Sequence, residues 1–254
     1  MNTVTQVQAL QTLRQQLNHK TIGCVTTLGN LHEGHLALCQ RAQAENDLVF
    51  VTIFVNPTQF NDKSDFEKYA RTIEADKKLL ESVGVDYLFS PHAEEIYHDN
   101  YEVKIIETII STELEGASRP GHFDGMLTVV NKLLNLIRPT RVYFGEKDYQ
   151  QLLLVKKMVS ALFMPIEVIG CPTMRANDNL ALSSRNSRLS TATREKAAIL
   201  PQVLMSNLSH DEMTRELETH GFKVDYIVEK WNRRLAAVYA DGVRLIDNVA
   251  IERK

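Results

Sequence analysis

What most constrains this chain is an alternation: short apolar runs take turns with longer stretches whose apolar residues recur at helical spacing. Runs 21–26, 48–55, 85–89, 141–144 and 166–169 have the length and apolar character of buried strands, with 103–108 a weaker sixth. Between them, 36–45, 72–83, 125–137 and 148–162 carry apolar residues three and four apart. In the third of these, Met126, Val129, Val130, Leu133, Leu134 and Ile137 form one stripe. Gly84 ends one helix and Arg138-Pro139 another, the latter because proline disfavours helical torsions in the residue before it. Such alternation predicts a Rossmann-like α/β domain, a doubly wound parallel sheet with right-handed crossovers, whose ligands sit at the carboxyl ends of the strands.

Beyond about residue 174 the texture changes. A polar turn, Arg175-Ala176-Asn177-Asp178-Asn179, leads into Leu180-Ala181-Leu182-Ser183-Ser184-Arg185-Asn186. Helical stretches 191–208 and 211–220 and strand-like 222–228 and 243–246 follow. We expect a nucleotide- and substrate-binding domain over 1–174 and a smaller α+β lid domain over 175–254, with no repeats and no long flexible linker. The chain's 254 residues, 44% hydrophobic and 24% charged, suffice for a sizeable core. A net charge of −3 supplies no overall basic field for a long nucleic acid, so no nucleic-acid partner is expected. Cys24, Cys39 and Cys171 are scattered on apolar segments without framework spacing, which suits a reducing cytoplasm. Residues 1–4 lack a signal-peptide pattern and the longest apolar stretch, 48–55, is too short to span a bilayer, so a soluble, cytoplasmic protein without a membrane partner is expected.

Three polar clusters fall where strands should end: Thr26 to His35, Asn56-Pro57-Thr58-Gln59, and Gly145-Glu146-Lys147-Asp148. Their convergence on one sheet edge points to a catalytic crevice. Within the first, His32 and His35 stand three apart beside Gly29 and Gly34. If a helix opens at Gly34, its free backbone N–H groups and positive dipole end favour a triphosphate, and two imidazoles add donors to phosphate oxygens that gain charge as pyrophosphate leaves. The chemistry implied is attack on the α-phosphate of ATP. Other readings stand beside it. His-x-x-His is also half a set of metal ligands, although no Cys-x-x-Cys accompanies it, and histidines line helix starts without function.

The residues carry a wider likeness. Leu31-His32-Glu33-Gly34-His35, Ile53-Phe54-Val55-Asn56-Pro57-Thr58-Gln59-Phe60, Arg119-Pro120-Gly121-His122-Phe123-Asp124-Gly125, Phe144-Gly145-Glu146-Lys147-Asp148-Tyr149-Gln150-Gln151 and Leu180 to Asn186 together resemble, nearly end to end, the pantothenate synthetase family. These pantoate–β-alanine ligases belong to the His-x-Gly-His nucleotidyltransferase superfamily, related to class I aminoacyl-tRNA synthetases. The resemblance implies a two-step, AMP-forming ligation. Pantoate's carboxylate attacks MgATP to give pantoyl adenylate and pyrophosphate; the amine of β-alanine then displaces AMP. It further implies a homodimer through the larger domain, and magnesium as the metal.

By the same resemblance, His32, His35, Lys147 and Arg185 are the catalytic groups around the phosphates. ATP would also meet Leu28, Gly145, Glu146, Asp148, Met174, Leu182, Ser183 and Ser184, while pantoate would meet Gln59, Gln151, Leu28, Asn56, Met126 and Val130. Asp76 matches the family's acidic residue near the magnesium. Several assignments have a plainer counterpart: Met126 and Val130 as ordinary core, Asp148 as a helix cap, Asp76 as a solvated helix carboxylate, and either glutamine as a surface residue. A neutral amide nonetheless suits a polyhydroxy acid, since it orients the substrate without neutralising its nucleophilic carboxylate.

The chain departs from the family's Pro-Thr-Met-Gly-Ala-Leu-His, having Thr26-Thr27-Leu28-Gly29-Asn30-Leu31-His32, and has Ala70 where proline is frequent and Asn179 where Asp-Gly is usual. Asparagine tolerates positive φ, so the turn at 179 should survive. Two rival functions fit the altered loop: an adenylyl or cytidylyl transferase with another acceptor, and a nucleotide-binding protein without turnover.

Overall fold

Ile22, Cys24 and Val25 are fully buried, as are Phe50 and Val51, so the central strands hide consecutive residues and both faces of their sheet are covered. The computed structural model describes residues 1–251. It places β1 (Asn2–Val4), β2 (Ile22–Thr27), β3 (Leu48–Ile53), β4 (Tyr87–Phe89), β5 (Arg141–Gly145) and β6 (Glu167–Cys171) in one parallel sheet of order β1-β4-β3-β2-β5-β6. The chain winds outward from β2 through β3 to β4, then returns to the other side of β2 for β5 and β6. Winding therefore reverses between β2 and β5, the point at which doubly wound folds hold their ligands.

The helices of this sheet are α1 (Val7–Gln16), α2 (Glu33–Glu45), α3 (Ile73–Ser82), α4 (His122–Ile137) and α5 (Tyr149–Ala161). The expected stripe of α4 is buried throughout, from Met126 at 2% exposure to Ile137 at 0%. A fully buried side chain of this size contributes about 1.5–3 kcal/mol relative to an exposed one. Arg138 then takes a left-handed conformation, φ 47°, ahead of Pro139, and the helix stops. The expected strand over 103–108 is absent: Val103 and Ile106 are 68% and 60% exposed, and the segment follows an irregular path whose Ile105 N–H donates to Thr128 Oγ1.

Contacts divide the chain into two units, Met1–Gly145 with Gln150–Cys171, and Glu146–Tyr149 with Pro172–Lys254. The division falls three residues before the expected 174, and the Glu146–Tyr149 turn goes with the second unit. That unit holds an antiparallel sheet of β7 (Lys223–Lys230), β8 (Arg233–Ala240) and β9 (Val243–Ala250), in that order. After the short α6 (Thr191–Lys196), α7 (Ile199–Met205) and α8 (His210–Thr219) pack against it, with Leu200, Leu204, Met213, Leu217, Phe222, Ala236 and Val238 at the centre of the core. The single helix expected over 191–208 is broken because Pro201 has no N–H to donate to Ala197 O and its ring crowds that carbonyl. No helix among the described residues is long and apolar enough to cross a membrane.

Candidate active site

The loop leaving β2 is held in an unusual shape. Gly29 and Asn30 both have positive φ, 83° and 52°, and a Cβ on Gly29 would lie 3.1 Å from Ile53 Cγ2. Asparagine is among the few side chains that accept this conformation at low cost, so Asn30 is compatible with the loop. What fixes it is Asp76 on α3, only 2% exposed: Oδ1 accepts from Leu31 N (2.8 Å), and Oδ2 accepts from Asn30 N (3.0 Å) and Thr72 Oγ1 (3.0 Å). The carboxylate expected at magnesium is thus engaged in holding backbone. Among the described residues, no group of three or more His, Cys, Asp or Glu is arranged to hold a metal.

This loop delivers His32 to the N-cap of α2. His32 Nδ1 accepts from Gly34 N (3.1 Å), and His35 Nδ1 accepts from His32 N (3.3 Å), a reciprocal capping box with ring centroids 4.1 Å apart. Backbone N–H groups can only donate, so both Nδ1 atoms carry a lone pair, and in each neutral ring the proton sits on Nε2. The pair therefore carries its donors at Nε2. The same box takes up part of the N–H set expected to be free at this helix start: the Gly34 N–H goes to His32 Nδ1, and the His35 and Leu36 N–H groups go to His32 O.

After β3, Asn56 caps the tight turn Pro57–Gln59 and is fully buried. Its Nδ2 donates to Gln59 Oε1 (3.0 Å) and Gly125 O (3.1 Å), and its Oδ1 accepts from Thr58 N (3.4 Å), from Thr58 Oγ1 (3.1 Å) and from Tyr97 Oη (2.6 Å). The helix α4 approaches so closely that a Cβ on Gly125 would be 2.4 Å from Thr58 O. His122 adds a further tie: Arg119 Nη1, a donor only, lies 3.0 Å from its Nε2, so Nδ1 bears the proton and donates to Gln59 O at 2.8 Å. Gln59 is 8% exposed, buried rather than on the surface; Met126 and Val130 are buried at 2% and 4%.

At the end of β5, Gly145 closes the strand, and two glutamines follow one residue into α5. Gln150 is buried with its amide fully used, accepting from Glu115 N (3.1 Å) and donating to Ile110 O and Glu113 O (2.8 Å each). This pins the helix start, and Gln151 beside it is half-buried.

In the second unit, Lys147 and its neighbours are anchored on β8 and β9. Asn248 Nδ2 donates to Glu146 O and Lys147 O, both at 2.9 Å, and Arg233 bridges Glu146 Oε2 (2.6 Å) and Asn248 Oδ1 (2.8 Å) while stacking over Tyr149. Next to Asn248, the buried Asp247 takes a two-pronged contact from Arg175 at 2.8 and 2.9 Å. Arg175 belongs to a narrow turn whose Asn179 does adopt positive φ, 67°, and which ends in the bond from Leu182 N to Met174 O. Ser183 caps the following Ser184–Arg188 turn by accepting from Arg185 N (3.2 Å). Two adjacent residues of β9 thus hold both segments expected to meet ATP.

In the first unit Leu28, His32 and His35 follow β2, and Asn56 and Gln59 follow β3 against α4, which carries Met126 and Val130; in the second, β9 contacts both the Glu146–Asp148 turn and the Ser184–Arg188 turn. Sequence reasoning missed Tyr97, Asp247 and Asn248. Two buried polar residues inside the apolar β9 were the one available signal for the latter pair.

The family model described as pantoate-beta-alanine ligase matches residues 1–250. Pantothenate synthetase of Bdellovibrio bacteriovorus is 48% identical over 231 residues, spanning 91% of this chain and 92% of that protein; that of Coxiella burnetii is 46% identical over 239 residues, 94% and 93%. The crystal structure of pantoate-beta-alanine ligase from Francisella tularensis complexed with beta-gamma ATP and beta-alanine superposes with a TM-score of 0.94 at 41% identity, covering 98% of this chain and 97% of that one. Pantothenate synthetase from Thermus thermophilus gives 0.89 at 41% identity, with 98% and 99% covered.

Proposed function

Since this chain belongs to the pantoate–β-alanine ligase family and is an enzyme of ATP-dependent condensation of pantoate with β-alanine, we propose how its residues divide that work. The observation that carries the proposal is the His32–His35 capping box, which fixes both rings as Nε2–H donors. In step one a carboxylate oxygen of pantoate attacks the α-phosphorus, the bond to the bridging oxygen breaks, and pyrophosphate leaves. His32 and His35 donate from Nε2 to oxygens that gain charge, each donor contributing about 2.7–4 kcal/mol if it acts as an oxyanion-hole group does. Lys147 and Arg185 are assigned to the same phosphates, with Leu28, Gly145, Glu146, Asp148, Met174, Leu182, Ser183 and Ser184 lining the nucleotide. In step two the amine of β-alanine attacks the acyl carbon of the adenylate, the acyl C–O bond breaks, AMP departs, and the amine loses a proton.

Gln59 and Gln151 hold pantoate in this proposal, beside the walls formed by Leu28, Met126 and Val130. Asn56 was expected to touch pantoate, but its amide hydrogens and its oxygen are engaged by protein, so we give it a supporting part. The resemblance also implies magnesium. Asp76 is committed to the loop, and no group of three or more His, Cys, Asp or Glu among the described residues is arranged to replace it. An ion arriving on the triphosphate needs none.

A homodimer and a cytoplasmic location complete the proposal. In the first unit Val103, Ile106 and Ile109 are each at least 60% exposed, apolar surface of the kind that a second copy covers. The test of function is pyrophosphate release from MgATP with pantoate alone, followed by AMP release on adding β-alanine. A stoichiometric burst and then β-alanine-dependent turnover is the expected result. Absence of pantoate-dependent pyrophosphate in a folded, ATP-binding protein would refute the adenylate route.

A further inference from the structure

Which end of the Gln59 amide meets a ligand follows from backbone chemistry alone. Gly125 O can only accept, so the Asn56 atom 3.1 Å from it is nitrogen; Thr58 N can only donate, so the opposite Asn56 atom is oxygen. With Asn56 fixed, its second N–H points at Gln59 across 3.0 Å, and the Gln59 atom there must be the oxygen. The Nε2 of Gln59 is left as the outward end, and it has no partner among the described residues although the residue is 8% exposed. An amide whose oxygen is turned onto Asn56 and whose NH2 is unengaged presents a donor as its outward group.

The group that locks this arrangement comes from a distant stretch of the chain. Tyr97 Oη donates to Asn56 Oδ1 at 2.6 Å, and Thr58 Oγ1 lies 3.1 Å from both atoms. Tyr97 is itself held on several sides. Its N–H bonds Ala93 O at 2.8 Å; its ring meets those of Phe54 and Tyr101; and Lys132 Nζ sits 5.1 Å from its centroid. Burial pushes the phenol up to about 12, so it remains a donor throughout the neutral range.

We propose that Tyr97, acting through Asn56, is a positioning residue for pantoate: it holds Gln59 with the amide N–H pair toward substrate, so that the site selects an oxygen able to accept a hydrogen bond. This rests on the reading that Gln59 touches pantoate, and the experiment separates the two. Steady-state constants for pantoate, ATP and β-alanine are measured for Tyr97→Phe, Gln59→Ala and the double variant, with thermal midpoints recorded. Tyr97→Phe keeps the ring and its packing. Losing one hydrogen bond in the chain should raise the pantoate KM about five- to tenfold, with the ATP KM within about twofold of the parent. Gln59→Ala should raise the pantoate KM further, and the double variant should match Gln59→Ala alone, because Tyr97 has nothing left to position. If Gln59→Ala leaves pantoate KM unchanged, the contact reading itself fails and the proposal with it. If Gln59→Ala has its effect but Tyr97→Phe has none, changes ATP and pantoate constants alike, or adds in full to Gln59→Ala, the contact stands and the positioning role is overturned.

Discussion

Replacing Asp76 by asparagine changes one atom and should unfasten the loop that presents His32. Three donors converge on its carboxylate: Leu31 N on Oδ1, with Asn30 N and Thr72 Oγ1 on Oδ2. An asparagine can keep only one oxygen. In its better orientation the oxygen retains Asn30 and Thr72, and an NH2 then faces the Leu31 N–H, donor against donor. Leu31 is 9% exposed, so little water can compensate. Losing one hydrogen bond to a charged acceptor costs about 1.5–3 kcal/mol, and the two remaining bonds weaken to neutral strength. We therefore expect Asp76→Asn to lose about 2–4 kcal/mol in urea unfolding. Because a displacement of about 1 Å at a catalytic group can cost about a hundredfold in rate, the pantoate-dependent pyrophosphate burst should also slow by one to two orders of magnitude. Native stability together with a raised magnesium requirement would refute this reasoning and return Asp76 to the metal.

Three other outcomes follow from the structure. Thr52 is fully buried and its hydroxyl has no hydrogen-bond partner among the described residues, so the isosteric Thr52→Val should be neutral or stabilise by about 1 kcal/mol in the same urea measurement; a loss above that size would reveal an unrecognised partner. Gly125→Ala places a methyl against Thr58 O and Gln59 N, and should cost about 1–3 kcal/mol while raising the pantoate KM more than the ATP KM. Burial, then a hydrogen bond with Glu45, pushes the Tyr143 phenol up to about 12, so the native state favours its protonated form. That contribution is complete below the unfolded tyrosine value of about 10 and is lost as pH climbs from there towards 12; urea midpoints at pH 8 and 11 should therefore fall less for Tyr143→Phe than for the parent chain.

The central sheet was legible because its strands are buried on both faces and appear as unbroken apolar runs, with Gly84 and Pro139 marking helix ends. Other elements carried weaker signals. β1 is three residues long with a polar start, and β8 begins with two arginines and continues through two alanines, residues that strands do not favour. Asp241-Gly242, at φ 50° and 72°, was the overlooked mark of the hairpin joining β8 to β9. Segment 103–108 failed the opposite way, having strand-like residues but pairing with no strand among the described residues. In the candidate site, the motif residues could be picked out because their spacing is local. Tyr97 was not, because its meaning comes from Asn56, which only the fold brings within 2.6 Å.

The turn Glu146–Tyr149 has a consequence for how this protein can be cut or recombined. Its backbone is gripped by Asn248 and its acidic side chain by Arg233, so a stretch placed in mid-chain belongs physically to the last strands. The polypeptide crosses from one unit to the other at 145/146, 149/150 and 171/172. A fragment ending near 171 would keep every strand of the parallel sheet and yet lose Asn248 and Arg233, the groups that grip the turn carrying Lys147. Shuffling the C-terminal part between relatives at that joint would pair a lysine turn from one lineage with the asparagine and arginine of another. The turn and the strands that hold it form one physical piece, and the workable seam for a chimera lies outside the segment from 146 to 248.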